Sequence, residues 1–258
     1  MTPLTLWAIY AAGVGLIVGS YLNVLIHRLP RGESTVLPRS RCPSCGQAIR
    51  PWDNVPVVSF LLLRGRCRGC RARISWRYPL VELATGILFL ASVWVFGPTV
   101  SAAAAAVFCA LSLALALIDA EHFLLPDKLT LPGIALGLAF SPFVGWTNLR
   151  DSLLGAGVGA GVLLALYWGW WWLRREEGMG LGDVKMIAMQ GAFLGWKGML
   201  LTLLLGAVSG SVVGLALLGR QGEGLKTRLP FGTFLALGGL AALFVGRPII
   251  RWYAGFFE

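Results

Sequence analysis

Two aspartates stand at the edges of apolar segments, where a carboxylate is unusual. Asp183 lies in the run Gly180-Leu181-Gly182-Asp183-Val184-Lys185, and Asp119 directly follows the apolar run from Ala102 to Ile118. An ionisable carboxylate at membrane depth is costly unless it faces protein or water, so it indicates a functional site. We therefore predict that Asp119 and Asp183 meet in one site.

A pair of aspartates in a partly desolvated site supports acid–base chemistry. Two carboxyl groups at the same depth cannot both ionise cheaply, so one keeps a proton while the other stays charged. The charged group can take a proton from water while the protonated group hydrogen-bonds a scissile carbonyl, which hydrolyses a peptide bond without a covalent intermediate. On spacing alone, Asp119 and Asp183 could equally cap helices or pair with Lys or Arg at the lipid headgroups.

Three neighbours of Asp183 are candidate supporting residues. Gly180 and Gly182 allow a tight turn and the close approach of another segment. Lys185 is two residues after Asp183 and could either bias the local potential or extend its amine to the membrane interface.

Four of the five cysteines form two closely spaced pairs. They are Cys42-Pro43-Ser44-Cys45 and Cys67-Arg68-Gly69-Cys70, with 21 residues between the pairs. Two Cys-x-x-Cys pairs at about this separation indicate zinc, and four thiolate ligands close the tetrahedron and make the metal structural. The alternative is disulfide bonding, which a reducing cytoplasm disfavours. Cys109 stands alone in an apolar run, and we expect it to pack in the core.

The composition excludes a soluble globular protein. Hydrophobic residues make up 57% of the 258 residues and charged residues 13%, with a mean hydropathy of +0.73, whereas soluble domains carry roughly 25% charged residues. Thirty-four glycines fit closely packed membrane helices. The class predicted is an all-α polytopic membrane protein.

The hydrophobic pattern predicts about eight transmembrane helices, since each span needs roughly 20 apolar residues. The predicted spans are approximately 4–26, 79–96, 102–118, 131–146, 152–173, 184–196, 198–218 and 231–245. The segment 184–196 is short for a full crossing. The predicted domains are a first transmembrane helix over 1–26, a cytoplasmic zinc-knuckle domain over 27–78 and a membrane core over 79–258.

The basic residues are distributed unevenly along the chain, which has a net charge of +10. Eleven of the 22 Lys and Arg lie between Arg28 and Arg77, and the predicted topology places 18 on the inner side. The four on the outer side are Arg150, Lys197, Arg247 and Arg251. This asymmetry predicts cytoplasmic inner loops, with Asp119 and Asp183 at the cytoplasmic face, and contact with anionic lipids. No basic motif is interleaved with aromatic residues, so we expect no nucleic-acid partner.

Six motifs follow one another along nearly the whole chain. They are Gly19-Ser20-Tyr21-Leu22-Asn23-Val24 with Arg28-Leu29-Pro30; Cys42 to Cys45 with Asp53-Asn54-Val55-Pro56; Cys67 to Cys70 with Arg77-Tyr78-Pro79-Leu80-Val81-Glu82; Ile118-Asp119 with Leu125-Pro126-Asp127; Gly180 to Lys185; and Pro230-Phe231-Gly232. In this order they resemble the motifs of the bacterial type IV prepilin peptidases, membrane aspartic proteases of the Gly-x-Gly-Asp class. One departure is Thr233, where the resemblance leads us to expect proline.

The resemblance implies a function for this set of residues. Asp119 and Asp183 would be the catalytic pair, and the substrate would be the N-terminal leader of a type IV prepilin or pseudopilin, cut after a glycine at the cytoplasmic edge of the bacterial inner membrane. It also implies N-methylation of the new N-terminus with S-adenosylmethionine, an activity associated with the loop over 27–78. That loop has no glycine-rich strand-to-helix motif, so no residue is assigned to the methyl donor.

Two other functions compete with this interpretation. A proton-coupled membrane transporter with a structural zinc domain would also hold buried acids, but carriers usually place them nearer the midplane and often have repeats. A related intramembrane protease acting on other membrane helices would give no reason for the four paired cysteines.

Overall fold

A computed structural model of the chain describes residues 2–175, 180–221 and 229–255. Within these ranges the chain forms eight α-helices: α1 (Pro3–Arg28), α2 (Val58–Leu62), α3 (Arg77–Phe96), α4 (Val100–His122), α5 (Asp127–Phe140), α6 (Leu149–Arg174), α7 (Leu181–Gln221) and α8 (Phe231–Ala254). Two of the predicted inner-side cations, Lys226 and Arg228, lie outside the described residues.

Six helices in the described part of the chain are long and apolar enough to cross a membrane. They cover Pro3–Arg31, Arg77–Phe96, Val100–His122, Leu149–Arg174, Leu181–Leu217 and Phe231–Trp252. The predicted class, an all-α polytopic membrane protein, is therefore confirmed.

The predicted count of eight spans is not confirmed. The predicted span 131–146 corresponds to α5, whose 14 residues reach only about 21 Å at 1.5 Å per residue. The predicted spans 184–196 and 198–218 correspond to the two helical segments of α7, which lie before and after a kink at Gly195.

The chain divides by its internal contacts into two compact units, Met1–Ala110 and Leu111–Glu258, with the boundary inside α4. In the first unit, α1 packs against α3. A Cβ added to Gly15 would lie 2.8 Å from the Cα of Gly86, and one added to Gly19 would lie 2.7 Å from the Cα of Glu82. Glycine is therefore required where these two backbones cross, as is common between membrane helices.

Glu82 connects the polar segment between α1 and α3 to a membrane helix. Its carboxylate is buried and accepts a hydrogen bond of 2.7 Å from the backbone N–H of Val57, the residue that precedes α2. Val57 has a φ of 61°, which is unusual for a β-branched residue. The Glu82 carboxylate thus holds one end of α2 in a strained backbone conformation.

In the second unit, α7 packs against α5, α6 and α8. Gly191 of α7 crosses Gly155 of α6 closely, because a Cβ on Gly191 would lie 2.3 Å from the carbonyl carbon and oxygen of Gly155. This approach puts α7 in the centre of the unit, where its first segment is almost completely buried.

The kink in α7 has an identifiable cause. Gly195 adopts φ 72° and ψ 176°, a conformation that favours glycine. A Cβ there would also lie 2.5 Å from Thr147 Oγ1. The kink interrupts the helical ladder, and the indole Nε1 of Trp146 donates a 2.9 Å hydrogen bond to the Phe193 carbonyl. A buried backbone acceptor is thereby satisfied from outside the helix.

Candidate active site

Asp119 lies in the last turn of α4, 5% exposed, and its carboxylate faces the start of α8. Its Oδ2 accepts a 2.8 Å hydrogen bond from the backbone N–H of Thr233, the third residue of α8. The first N–H groups of a helix have no partner within the helix and carry a partial positive charge. The start of α8 therefore supplies a site that suits a negative carboxylate.

The Thr233 side chain adds a second contact. Its Oγ1 lies 3.3 Å from Asp119 Oδ2 and 3.0 Å from the Ala116 carbonyl, and the single hydroxyl proton is shared between these two acceptors. Gly232 makes this approach possible, since a Cβ there would lie 2.9 Å from Asp119 Oδ2. Asp119 is thus held on one oxygen by two groups of Thr233.

Asp183 lies in the first turn of α7, 8% exposed. Its own backbone N–H donates to the Gly180 carbonyl at 3.1 Å. The carboxylate is also close enough to Asp119 for their charges to interact. The structure therefore brings the two predicted aspartates together.

Leu125 packs against the starts of both α7 and α8 at this site. It is buried, and a Cβ on Gly182 would lie 2.9 Å from its Cβ, while a Cβ on Gly232 would lie 2.9 Å from its Cδ1. By contrast, the nearest atom to a Cβ on Gly180 among the described residues would be Asp183 Oδ2 at 3.7 Å. Of the two predicted supporting glycines, Gly182 is thus required by packing, whereas the described residues around Gly180 leave room for a methyl group.

Lys185, the third predicted supporting residue, contacts a different acid. Its Nζ donates to Asp127 Oδ1 at 2.6 Å, and both side chains are partly exposed. Because Asp127 is the first residue of α5, the pair ties the start of α7 to the start of α5. Lys185 thus neutralises an interfacial acid next to the site.

The four paired cysteines converge in the first unit. The Sγ atoms of Cys42, Cys45, Cys67 and Cys70 all lie within 4.8 Å of one another, and no disulfide joins them. A tetrahedral zinc site with Zn–S bonds of about 2.3 Å needs sulfur atoms about 3.8 Å apart, and Cys42 Sγ is 3.8 Å from Cys70 Sγ. The cysteines are therefore positioned to bind a metal ion, whereas Cys109 is buried in α4.

The two cysteine pairs have the same backbone arrangement. The N–H of Cys42 donates to the Gln47 carbonyl at 2.9 Å, and the N–H of Cys67 donates to the Ala72 carbonyl at 2.8 Å. A hydrogen bond from the Cys45 backbone lowers the pKa of Cys42 to about 6, which favours the thiolate that a metal requires. Each pair thus forms a small knuckle that presents two sulfur atoms.

A bidentate ion pair holds the segment between the knuckles. Arg68 donates through Nε and Nη2 to the Asp53 carboxylate at 2.7–3.0 Å. This hydrogen bonding by Arg68 also lowers the pKa of Asp53. The planar fork of arginine fixes orientation as well as distance, so the segment carrying Asp53 is held against the second knuckle.

Sequence reasoning named Leu125 within a motif and Thr233 as a departure from an expected proline, but it gave neither residue a role in the site. A usable signal for Thr233 was its place three residues after Pro230, at the predicted start of a helix, where unpaired N–H groups occur. The Leu125 side chain has no polar or ionisable group. Its role is evident only from the structure, where it packs against both Gly182 and Gly232.

Two protein-family models together match most of the chain. The family model described as "Bacterial Peptidase A24 N-terminal domain" matches residues 14–96, and the one described as "Type IV leader peptidase family" matches residues 106–215. No solved structure matches the chain.

Similar curated proteins named prepilin leader peptidase/N-methyltransferase occur in several bacteria. That of Burkholderia pseudomallei is 42% identical, over 95% of this chain and 88% of its own length. Those of Stutzerimonas stutzeri and Pseudomonas aeruginosa are each 42% identical, over 94% of this chain and 92% of their own lengths. Together with the two buried aspartates and the ordered motifs, these matches show that the chain belongs to the type IV leader peptidase family.

Proposed function

We propose that the protein cleaves the leader from type IV prepilins or pseudopilins at the cytoplasmic surface of the bacterial inner membrane and methylates the new N-terminus. The observation that carries this proposal is the meeting of Asp119 and Asp183, two buried carboxylates from separate helices, in a member of a leader peptidase family. Membership of a peptidase family does not support the transporter alternative.

The hydrogen bonds around Asp119 suggest which aspartate is charged and which is protonated. An N–H group can only donate, so Asp119 Oδ2 acts as the acceptor for Thr233, and such a bond stabilises a charged carboxylate. We assign the charged, base role to Asp119 and the proton to Asp183. A negative charge on Asp119 favours a protonated neighbour.

Hydrolysis then follows from these roles. Water bonds to the scissile carbonyl carbon while its proton passes to Asp119, and Asp183 hydrogen-bonds the carbonyl oxygen. The C–N bond then breaks as Asp119 delivers to the leaving amine the proton that it took from water. Both aspartates lie within a turn of a helix end, where a polar leader can meet water while its apolar helix remains in lipid.

The metal in the first unit is proposed to be zinc with a structural role. Four cysteine sulfurs close the coordination sphere and leave no open position for substrate or water. A polar segment of this size has little core of its own, so the metal stabilises its fold. The methyl donor is proposed to be S-adenosylmethionine, with no residue assigned to it.

Replacing either catalytic aspartate should abolish processing while the fold persists. We expect Asp119→Asn and Asp183→Asn each to lower kcat/KM for a purified prepilin by at least about 100-fold, because acid–base catalysis contributes on the order of 10²–10⁴-fold. The mass of the product reports cleavage. As a control for folding, both variants should still methylate a peptide that begins at the mature N-terminus. Normal cleavage by either variant would remove that residue from the pair.

The two glycines before Asp183 should respond differently to a methyl group. Gly182→Ala should lower kcat/KM by roughly 10–100-fold, because its Cβ displaces Leu125 and shifts reacting groups. Gly180→Ala, the matched control, should stay within about twofold of the parent protein, since ordinary contacts do not disturb geometry. Equal losses in the two variants would contradict the packing role of Gly182.

The Thr233 hydroxyl should contribute to turnover. Thr233→Val keeps the shape and the N–H but removes the hydroxyl, and we expect kcat to fall by about tenfold, the value of one hydrogen bond to a charged group. KM should not change, and Thr233→Ser should restore kcat. Unchanged kcat in Thr233→Val would show that the backbone N–H alone suffices.

The cysteine site predicts a definite metal content. Elemental mass spectrometry of the purified protein should find about one zinc per chain, because four thiolates bind a single ion. The double variant Cys42→Ser, Cys45→Ser should lose it, whereas Cys109→Ser should retain it. Unchanged zinc in the double variant would rule out this site.

A further inference from the structure

A cavity of about 260 Å³ lies in the second unit, where α8 passes the kink in α7. Its lining includes three cations, Lys197, Arg247 and Arg251, beside the Trp146 indole and the apolar side chains of Leu243 and Ile250. No acidic side chain lines this cavity within the described residues. It is a basic pocket with an apolar wall.

The three cations are an exception to the charge pattern of the chain. The predicted topology puts only four of 22 Lys and Arg on the outer side, and three of these four line this one cavity. The fourth, Arg150, is not among its lining residues. Positive charge retained on the disfavoured side of a membrane protein indicates a specific role for it.

Backbone and ring contacts hold the wall of the pocket in place. The Arg247 guanidinium donates to the Gly145 carbonyl, and the next residue, Trp146, donates to the Phe193 carbonyl at 2.9 Å. The Lys197 amine lies 5.5 Å from the centre of the Trp196 ring. Arg247 and Lys197 are therefore positioned by contacts from the α5–α6 connection and from the residue after the kink.

The pocket lies at the end of α8 opposite to the active site. Arg247 and Arg251 follow Thr233 by 14 and 18 residues, which corresponds to about 21 and 27 Å along a helix. The hydrocarbon layer is about 30 Å thick. Because Thr233 contacts Asp119 at one membrane edge, the basic pocket lies near the opposite headgroup layer.

We propose that this pocket binds the phosphate of an anionic phospholipid, such as phosphatidylglycerol, in the leaflet opposite to the aspartates. Basic pockets between membrane helices recognise lipid headgroups in this way. The same two helices expose apolar side chains that acyl chains can cover, among them Leu200 and Leu204 on α7 and Val245 and Ile249 on α8. This apolar surface favours a lipid over free phosphate.

Binding is measured by native mass spectrometry and by thermal unfolding of delipidated protein in a neutral detergent. Phosphatidylglycerol should bind and raise the unfolding temperature. Phosphatidylcholine and glycerol phosphate should bind more weakly and raise the unfolding temperature by a smaller amount. Lys197→Gln should weaken phosphatidylglycerol binding about fivefold, the usual contribution of one cation near a lipid surface. The matched control Arg150→Gln removes one cation at the start of α6 and should leave the affinity unchanged.

Each alternative outcome identifies a different error. Equal weakening by Arg150→Gln would show non-specific attraction and overturn the pocket. Equal stabilisation by phosphatidylcholine would overturn recognition of charge, and binding of glycerol phosphate as tight as that of phosphatidylglycerol would make this a site for soluble anions. If Lys197→Gln fails to fold, Arg251→Gln on α8 tests the same prediction. Prepilin processing by either variant reports correct folding.

Discussion

The contact between the Asp119 carboxylate and the first turn of α8 is the interaction on which the candidate site depends. It joins residues 114 positions apart and pairs a buried negative charge with the positive end of a helix. A proline at position 233 would have no N–H to offer, so threonine gives this chain an additional donor. The same contact fixes the position of α8 beside α4, and thus links catalytic geometry to the packing of the unit.

Close approach of backbones is the second constraint, and it determines where the glycines lie. Gly191 and Gly155 let α7 cross α6, while Gly182 and Gly232 both make room for Leu125. Without these contacts, Asp183 could not be held beside Asp119 at the ends of two different helices. The geometry of the candidate site therefore depends on the absence of side chains at these glycines as much as on the two carboxylates.

Much of this arrangement could be predicted from the sequence, because the signals were local. Asp119 and Asp183 each end or begin an apolar run, and the cysteine spacing alone indicates a four-sulfur site. The number of spans was less predictable, since hydropathy cannot distinguish a kink at Gly195 from a loop. The pairing of Lys185 with Asp127, 58 residues away, and the role of Thr233 depend on tertiary packing that no short pattern encodes.

The matching hydrogen bonds of the two cysteine knuckles show that the repeated Cys-x-x-Cys spacing is also a repeat of backbone structure. Corresponding atoms are offset by 25 residues throughout: Cys42 by Cys67, Gln47 by Ala72, and Gly46 by Arg71. Gly46 has a φ of 71° and Arg71 a φ of 63°, but only glycine adopts that conformation without strain. The two halves of this small domain are consequently unequal: glycine relaxes the turn of the first knuckle, whereas Arg71 holds the turn of the second in a strained backbone conformation.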